Sequence, residues 1–320
     1  MPSFSTEVKN ELARLVYNRM CCQKAELAGL LRMGASLIMG FSSWGGEKQR
    51  TVGISFVTEN AAVARKVLNL IKSISKGKVI TEVTVSRSRR LKKNNRYSLR
   101  AVPSPQVRDL LVSIGLMKGN ILNVGSDTAV IKKQCCRIAY LRGAFMGGGS
   151  VNRPEASCHL EFVTGSYTFG ATLHGLLKKM YMPAGFTDRH NDYVIYVKDG
   201  ETIMDLLWLM EAEKSVEAIE VARNIKEVRT QVNRIVNCET ANLQKTVMTS
   251  IHHIEIIDWL EKQGILENLP AKLKESAKAR QENPDASLGE LAEIVGISKS
   301  GMNHRLKKLE EIFNKAKEGK

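Results

Sequence analysis

An internal repeat is the feature that most restricts what this chain can fold into. Residues 21–37 resemble residues 135–151 at an offset of 114, and both segments begin with two consecutive cysteines. Further along, residues 54–58 match residues 160–164 at an offset of 106. The offset changes only between elements, as loops of different length would make it. The sequence therefore predicts an α+β fold in which an αββαββα unit occurs twice and packs as a pseudo-twofold pair.

Small residues recur at the same place in the first helix of each copy. Ala25 and Gly29 in copy one, and Ala139 and Gly143 in copy two, are four residues apart and so share one helix face. Because small side chains let two backbones approach closely, we predict that these residues form the interface of a helix pair. The alternative is an ordinary buried helix in which the glycines are incidental.

Positive charge is concentrated in the first part of the chain. The 320 residues include 48 Lys plus Arg and 33 Asp plus Glu, which gives a formal net charge of +15. Residues 1–134 hold 23 basic and 8 acidic residues, whereas the rest of the chain holds 25 of each. An excess of this kind indicates a polyanionic partner.

The densest part of this charge lies in a predicted β-hairpin. Alternating Val83 and Val85 indicate one strand, Asn94 and Asn95 a turn, and residues 97–102 the return strand. The cations are Arg87, Arg89, Arg90, Lys92, Lys93, Arg96 and Arg100. We predict that the hairpin contacts phosphates, with a hairpin kept soluble by its charges as the alternative.

A helix-turn-helix pattern lies near the C-terminus, at residues 287–309. Ser287 can cap a helix over Leu288–Val295, Gly296 supplies the turn, and Ser298 can cap a second helix that begins at Lys299. No acidic residue lies between positions 298 and 309 of this second helix. Such a composition is typical of a helix that reads DNA.

We predict a role for each polar residue on this helix. Four residues are candidates for reading base edges: Ser300, Asn303, His304 and Arg305. Three are candidates for phosphate contacts: Lys299, Lys307 and Lys308. The alternative is a helix pair with a basic tail that docks onto a protein.

The cysteine and histidine positions favour a chain without disulfide bonds and without a metal site. Six cysteines form no C-x-x-C motif, and the six histidines are not at ligand spacing from them. We therefore predict no metal site and no cofactor.

The charge distribution also predicts where the chain resides. The most apolar stretch, residues 25–41, is interrupted by Glu26 and Arg32, so it does not resemble a membrane span. Glu7 and Lys9 stand where a signal peptide would have its apolar core. These features predict a cytoplasmic, nucleoid-associated protein.

The repeat and the C-terminal pattern together predict the domain organisation. The duplicated α+β domain covers residues 1–220, with copies at 1–125 and 126–220. A linker with few apolar anchors follows at 221–240, and a helical DNA-binding domain at 241–320.

The repeated helices resemble the motif helix of LAGLIDADG homing endonucleases. The residues that carry the resemblance are Leu27-Ala-Gly-Leu-Leu-Arg-Met-Gly-Ala35 and Leu141-Arg-Gly-Ala-Phe-Met-Gly-Gly-Gly149. The resemblance implies two helices paired at a pseudo-twofold axis, each ending in an acid that binds a catalytic metal. Gly34 and Gly148 occupy those acidic positions, so the resemblance implies pairing without catalysis.

The whole chain resembles the WhiA family of bacterial sporulation and cell-division regulators. Besides the motif helices and the helix-turn-helix, the supporting segments are residues 4–12 and residues 233–243 with Lys245. The resemblance implies a monomeric, non-enzymatic, sequence-specific transcriptional regulator that acts in cell division, sporulation and chromosome segregation. Its implied partners are double-stranded DNA and another transcription regulator or RNA polymerase.

Two other functions are alternatives to this one. A non-enzymatic interaction protein of the division machinery is compatible with the same sequence. A metal-dependent endonuclease fits least, since no carboxylates occupy matching positions near residues 34 and 148 of the two copies.

Overall fold

The computed structural model describes residues 2–44, 47–87, 95–123 and 129–319, which form two compact units. The units comprise residues 1–226 and 227–320. The first part of unit one contains α1 Phe4–Arg14, α2 Met20–Gly34, β1 Ala35–Trp44, β2 Glu47–Thr58, α3 Ala61–Ile74, β3 Thr81–Arg87, β4 Asn95–Ala101 and α4 Pro105–Ser113.

The second part of unit one repeats this order from α2 onwards. A short hairpin, β5 Met117–Lys118 and β6 Ile121–Leu122, separates the two parts. The repeated elements are α5 Gln134–Gly148, β7 Gly149–Val151, β8 Leu160–Thr164, α6 Tyr167–Lys179, β9 Gly185–Arg189, β10 Asp192–Val197 and α7 Gly200–Leu209. Both antiparallel four-stranded sheets have the same strand order, β1-β2-β4-β3 and β7-β8-β10-β9. The predicted duplicated αββαββα fold is confirmed.

The two copies meet along α2 and α5. Ala25 and Ala139 are fully buried. A Cβ atom added to Gly29 would lie 2.3 Å from the carbonyl oxygen of Tyr140, and one added to Gly143 would lie 2.0 Å from that of Glu26. The four predicted small residues therefore lie where the two helix backbones touch.

A single long helix, α8 Glu213–Lys262, contains the residues at which the two units divide. The predicted linker at residues 221–240 is helical within it. No glycine or proline occurs between residues 213 and 263, so nothing in the local sequence interrupts a helix. The division between the two units, after residue 226, falls within this helical segment.

The second unit is a small helical domain. After α8 come a 3-10 turn at Leu266–Asn268, α9 Ala271–Glu282, α10 Leu288–Val295 and α11 Lys299–Glu318. Leu291 and Ala292 on α10 pack with Met302, Leu306 and Leu309 on α11 in one buried cluster. The core thus holds α10 and α11 together and leaves the opposite face of α11 exposed.

None of the described helices is both long and apolar enough to cross a membrane.

Candidate nucleic-acid interface

Two capped helices and a glycine turn build the C-terminal motif. Ser287 Oγ accepts a hydrogen bond from the N–H of Glu290, whose carboxylate accepts one from the N–H of Ser287. Gly296 ends α10 with a φ of 71°, a left-handed conformation that favours glycine. Ser298 caps α11 by accepting a hydrogen bond from the N–H of Gly301. Both helices begin where the sequence predicts them.

The N-terminal half of α11 has an exposed polar face. Its exposed side chains are Lys299, Ser300, Asn303, His304, Lys307 and Lys308. Lys308 Nζ lies 2.9 Å from Glu311 Oε2, so its charge is partly compensated within the helix. The other side chains of this α11 face offer donors of the kind that bind phosphates and base edges.

Arg305 does not belong to this face. Its Nη1 lies 3.1 Å from Glu275 Oε2 and 3.2 Å from the carbonyl oxygen of Lys272, both on α9. The side chain is 18% exposed. The prediction that Arg305 reads a base is therefore corrected: its position on the flank of α11 turns the guanidinium towards α9, where it anchors the helix.

Arg280 is a structural residue that the sequence did not reveal. It is 1% exposed, and its Nη1 donates to the carbonyl oxygens of Asn283, Pro284 and Ala286. These carbonyls belong to the loop that leads into α10. Arg280 thereby holds the entry to the helix-turn-helix, and nothing in its sequence neighbourhood distinguishes it from a surface arginine.

The cations of the basic hairpin lie on two faces of the sheet. Along β4, Arg96 and Arg100 alternate with the buried residues Leu99 and Ala101, so both arginines face away from the core. Arg87 pairs in register with Asn95, which places it on the opposite face. Arg89, Arg90, Lys92 and Lys93 lie outside the described residues.

The matching sheet face of copy two carries no comparable group of cations among the described strands. There Glu161 lies between the buried residues Leu160 and Phe162 of β8. Its carboxylate is 3.2 Å from His159 Nε2 and 3.8 Å from Arg189 Nη1. The two sheets thus share a topology but not an electrostatic character.

The C-terminal ends of the paired helices carry no acids. A Cβ on Gly34 would lie 2.9 Å from the Phe56 ring, and one on Gly148 would lie 3.0 Å from the carbonyl oxygen of Val163. Arg32, at the position of another motif acid, donates from Nη2 to the carbonyl oxygens of Gly115 and Asn123, each at 3.2 Å. Within the described ranges, no group of three acidic or histidine side chains is close enough to share a metal ion.

A buried ion-pair network beside the helix pair is another feature that the sequence did not reveal. Glu26 is fully buried, with Oε1 3.3 Å from Arg142 Nε and Oε2 3.4 Å from Lys66 Nζ. The Cζ atom of Arg142 lies 4.0 Å from the centroid of the Tyr17 ring, and its Nη1 lies 3.4 Å from Glu211 Oε1. Burial raises the pKa of Glu26 and lowers that of Lys66, and in each case the charge of the partner opposes the shift.

Four cysteines also come together, contrary to the reasoning that excluded a metal site. The Sγ atoms of Cys21, Cys22, Cys135 and Cys136 all lie within 4.8 Å of one another at the starts of α2 and α5. All four are free thiols. The available signal was the Cys-Cys pair in each copy of a helix predicted to pair with its counterpart. Because the two pairs are 114 residues apart in the sequence, their spacing matches no familiar metal-ligand motif.

The duplicated scaffold with paired motif helices, followed by the helix-turn-helix, defines a LAGLIDADG-like protein with an appended helix-turn-helix domain. Three family profiles match the sequence: the WhiA N-terminal LAGLIDADG-like domain at residues 20–117, the WhiA LAGLIDADG-like domain at 137–229, and the WhiA C-terminal HTH domain at 232–313. The chain belongs to the WhiA family.

Relatives resemble the chain over nearly its whole length. Proteins called "Probable cell division protein WhiA" are 44% identical in Desulforamulus reducens, covering 99% of this chain and 97% of the relative. They are 42% identical in Alkaliphilus oremlandii, covering 99% of both. The crystal structure of full-length DUF199/WhiA from Thermotoga maritima is 25% identical with a TM-score of 0.57, covering 98% of this chain and 99% of that one.

Proposed function

We propose that this protein is a sequence-specific DNA-binding transcriptional regulator. The observation that carries the proposal is the exposed face over residues 299–308 of α11, which contains no acidic residue, on a capped helix-turn-helix. In this arrangement Ser300, Asn303 and His304 read base edges, while Lys299 and Lys307 contact phosphates. Lys308 is also proposed to contact phosphate from this face, although it forms an ion pair with Glu311.

The scaffold of unit one has a supporting role in this proposal. Arg96 and Arg100 face away from the core of copy one and would contact phosphates of the bound DNA. We further propose that the scaffold does not cleave DNA, because Gly34 and Gly148 end the motif helices. Incubation with DNA and Mg²⁺ should yield intact DNA, and turnover cleavage would disprove this part.

The proposed biological role is based on the names of the relatives. Because those proteins are named for cell division, we propose that this chain regulates cell-division genes, with roles in sporulation and chromosome segregation. Its proposed place is the cytoplasm, at the nucleoid, as a monomer with an internal pseudo-twofold. Another transcription regulator or RNA polymerase is the proposed protein partner.

Replacing base-reading residues should relax the preference among DNA sites. In Asn303→Ala/His304→Ala, we expect discrimination to weaken by ~1–3 kcal/mol for each base edge that is no longer read. The measurement is genome-wide mapping of bound sites, followed by anisotropy titrations on a preferred and a scrambled duplex.

Asn314→Ala is the matched control for this experiment. Asn314 is also exposed on α11, about 16 Å further along the helix. It should leave site preference unchanged. If the double variant kept its full preference, α11 would not be the reader, and an interaction protein of the division machinery would become the better description.

Neutralising the outward-facing hairpin arginines should flatten the salt dependence of binding. For Arg96→Gln/Arg100→Gln, we expect the slope of log Kobs against log salt concentration to fall by up to about 0.9 for each phosphate that the hairpin no longer neutralises. Preference among sites should stay the same, because phosphate contacts carry no base information.

Lys72→Gln/Lys76→Gln removes the same charge near the end of α3 and serves as the control. Its slope should match that of the wild type. Equal slopes in both double variants would show that the hairpin arginines contact no phosphate and only keep the sheet soluble.

A further inference from the structure

We propose that this protein holds one zinc ion at the N-terminal end of its paired motif helices. The ligands are the thiolates of Cys21, Cys22, Cys135 and Cys136. Each helix supplies two ligands from equivalent positions in its first turn. The site is therefore a product of the duplication, since neither copy alone contains four ligands.

The spacing of the sulfur atoms fits tetrahedral coordination. Zn–S bonds of ~2.3 Å place the four sulfur atoms of a tetrahedral site about 3.8 Å apart. In the structure, the Sγ atoms of Cys21 and Cys22 are 4.0 Å apart, as are those of Cys135 and Cys136. All six separations are within 4.8 Å, so movements of at most about 1 Å complete the coordination shell.

The surroundings suit a thiolate site. Cys22 and Cys136 are 4% and 3% exposed, whereas Cys21 and Cys135 are half-buried and give the ion a path from solvent. Four thiolates around Zn²⁺ carry a net charge of −2. The four cysteines lie in the first turns of two helices, whose N-terminal ends favour this negative charge.

Disulfide bonding explains the cluster less well. Consecutive Cα atoms are about 3.8 Å apart, shorter than the usual Cα separation of about 4.4–6.8 Å in a disulfide. A bond within either Cys-Cys pair would therefore distort the first turn of its helix. Only bonds between the two helices are left, and the structure has none among these four cysteines, which are all free.

Zinc at this position would fasten one end of the helix pair. Cys21 and Gly34 are separated by 13 residues of α2, so the site lies about 20 Å from the end at which the motif glycines stand. The ion would cross-link α2 to α5 and thereby stabilise the contact between the two copies.

The test is metal analysis of the full-length chain purified under reducing conditions with zinc supplied during expression. We expect one zinc per chain by mass spectrometry of the metal content. In Cys21→Ser/Cys135→Ser the zinc content should fall close to zero. The control Cys158→Ser/Cys238→Ser removes two exposed thiols outside the cluster and should keep one zinc.

A second measurement does not depend on how the variants fold. Co²⁺ added to metal-free wild-type protein should give the intense visible bands of a tetrahedral thiolate site, and Zn²⁺ should abolish them. The proposal is overturned if wild-type protein with native circular dichroism binds neither ion. It is equally overturned if the control loses zinc as fully as the cluster variant, or if mass spectrometry finds the four cysteines in disulfides between the helices.

Discussion

Gly143→Ala should lower the free energy of unfolding of the first unit by about 3 kcal/mol, at the upper end of the usual cost of overpacking. The added Cβ would lie 2.0 Å from the carbonyl oxygen of Glu26 and 3.0 Å from the backbone nitrogen of Leu30. Both are backbone atoms of α2, so no side chain can rotate to make room. The two helices must separate, which also disturbs the buried contacts around Ala25 and Ala139.

Gly175→Ala is the matched control for this prediction. Gly175 lies inside α6, and a Cβ added there meets nothing within 4 Å. This variant should gain about 0.5–1 kcal/mol, because alanine restricts the unfolded chain more than glycine does. Urea unfolding followed by circular dichroism gives both values. Similar midpoints for the two variants would contradict the close helix contact.

Glu26→Gln should be at least as damaging, with an expected loss of about 3–5 kcal/mol. The substitution keeps the size of the side chain but removes the negative charge that Arg142 and Lys66 share. Both cations are almost fully buried, so water cannot replace the lost carboxylate. The midpoint of urea unfolding should fall accordingly.

Two further variants make this experiment specific. Glu201→Gln breaks an exposed pair with Arg223, 3.5 Å apart, and should change stability by no more than about 1 kcal/mol. Glu26→Gln/Arg142→Met also removes one of the two cations that Glu26 balances, so its loss should be smaller than the sum of the two single losses. Additive losses would show that the two side chains do not interact.

The sequence predicted the features that depend on local or repeated patterns. The repeat predicted the fold of both copies and the position of the small residues on α2 and α5. Ser287, Gly296 and Ser298 predicted the ends of α10 and α11, because caps act within a few residues of their own position.

The features that the sequence did not predict are contacts between residues that are not at equivalent positions of the two copies. Aligning the copies places Arg142 opposite Ala28 and Glu26 opposite Tyr140, so the alignment gives no sign that Arg142 pairs with Glu26. Arg305 was misassigned for a related reason, since the sequence does not show which flank of α11 meets α9.

Only pairing of the first half with the second half forms the Glu26–Arg142 contact. A homodimer of the first half would bury Glu26 against a helix that has alanine in place of Arg142. A homodimer of the second half would have Tyr140 where Glu26 contacts Arg142, leaving Glu211 as the carboxylate beside that arginine. Lys66 and Glu211 give these charges a partner within their own halves, but the Glu26–Arg142 contact forms only between the two halves and so favours the intramolecular pairing over association with a second copy of the chain.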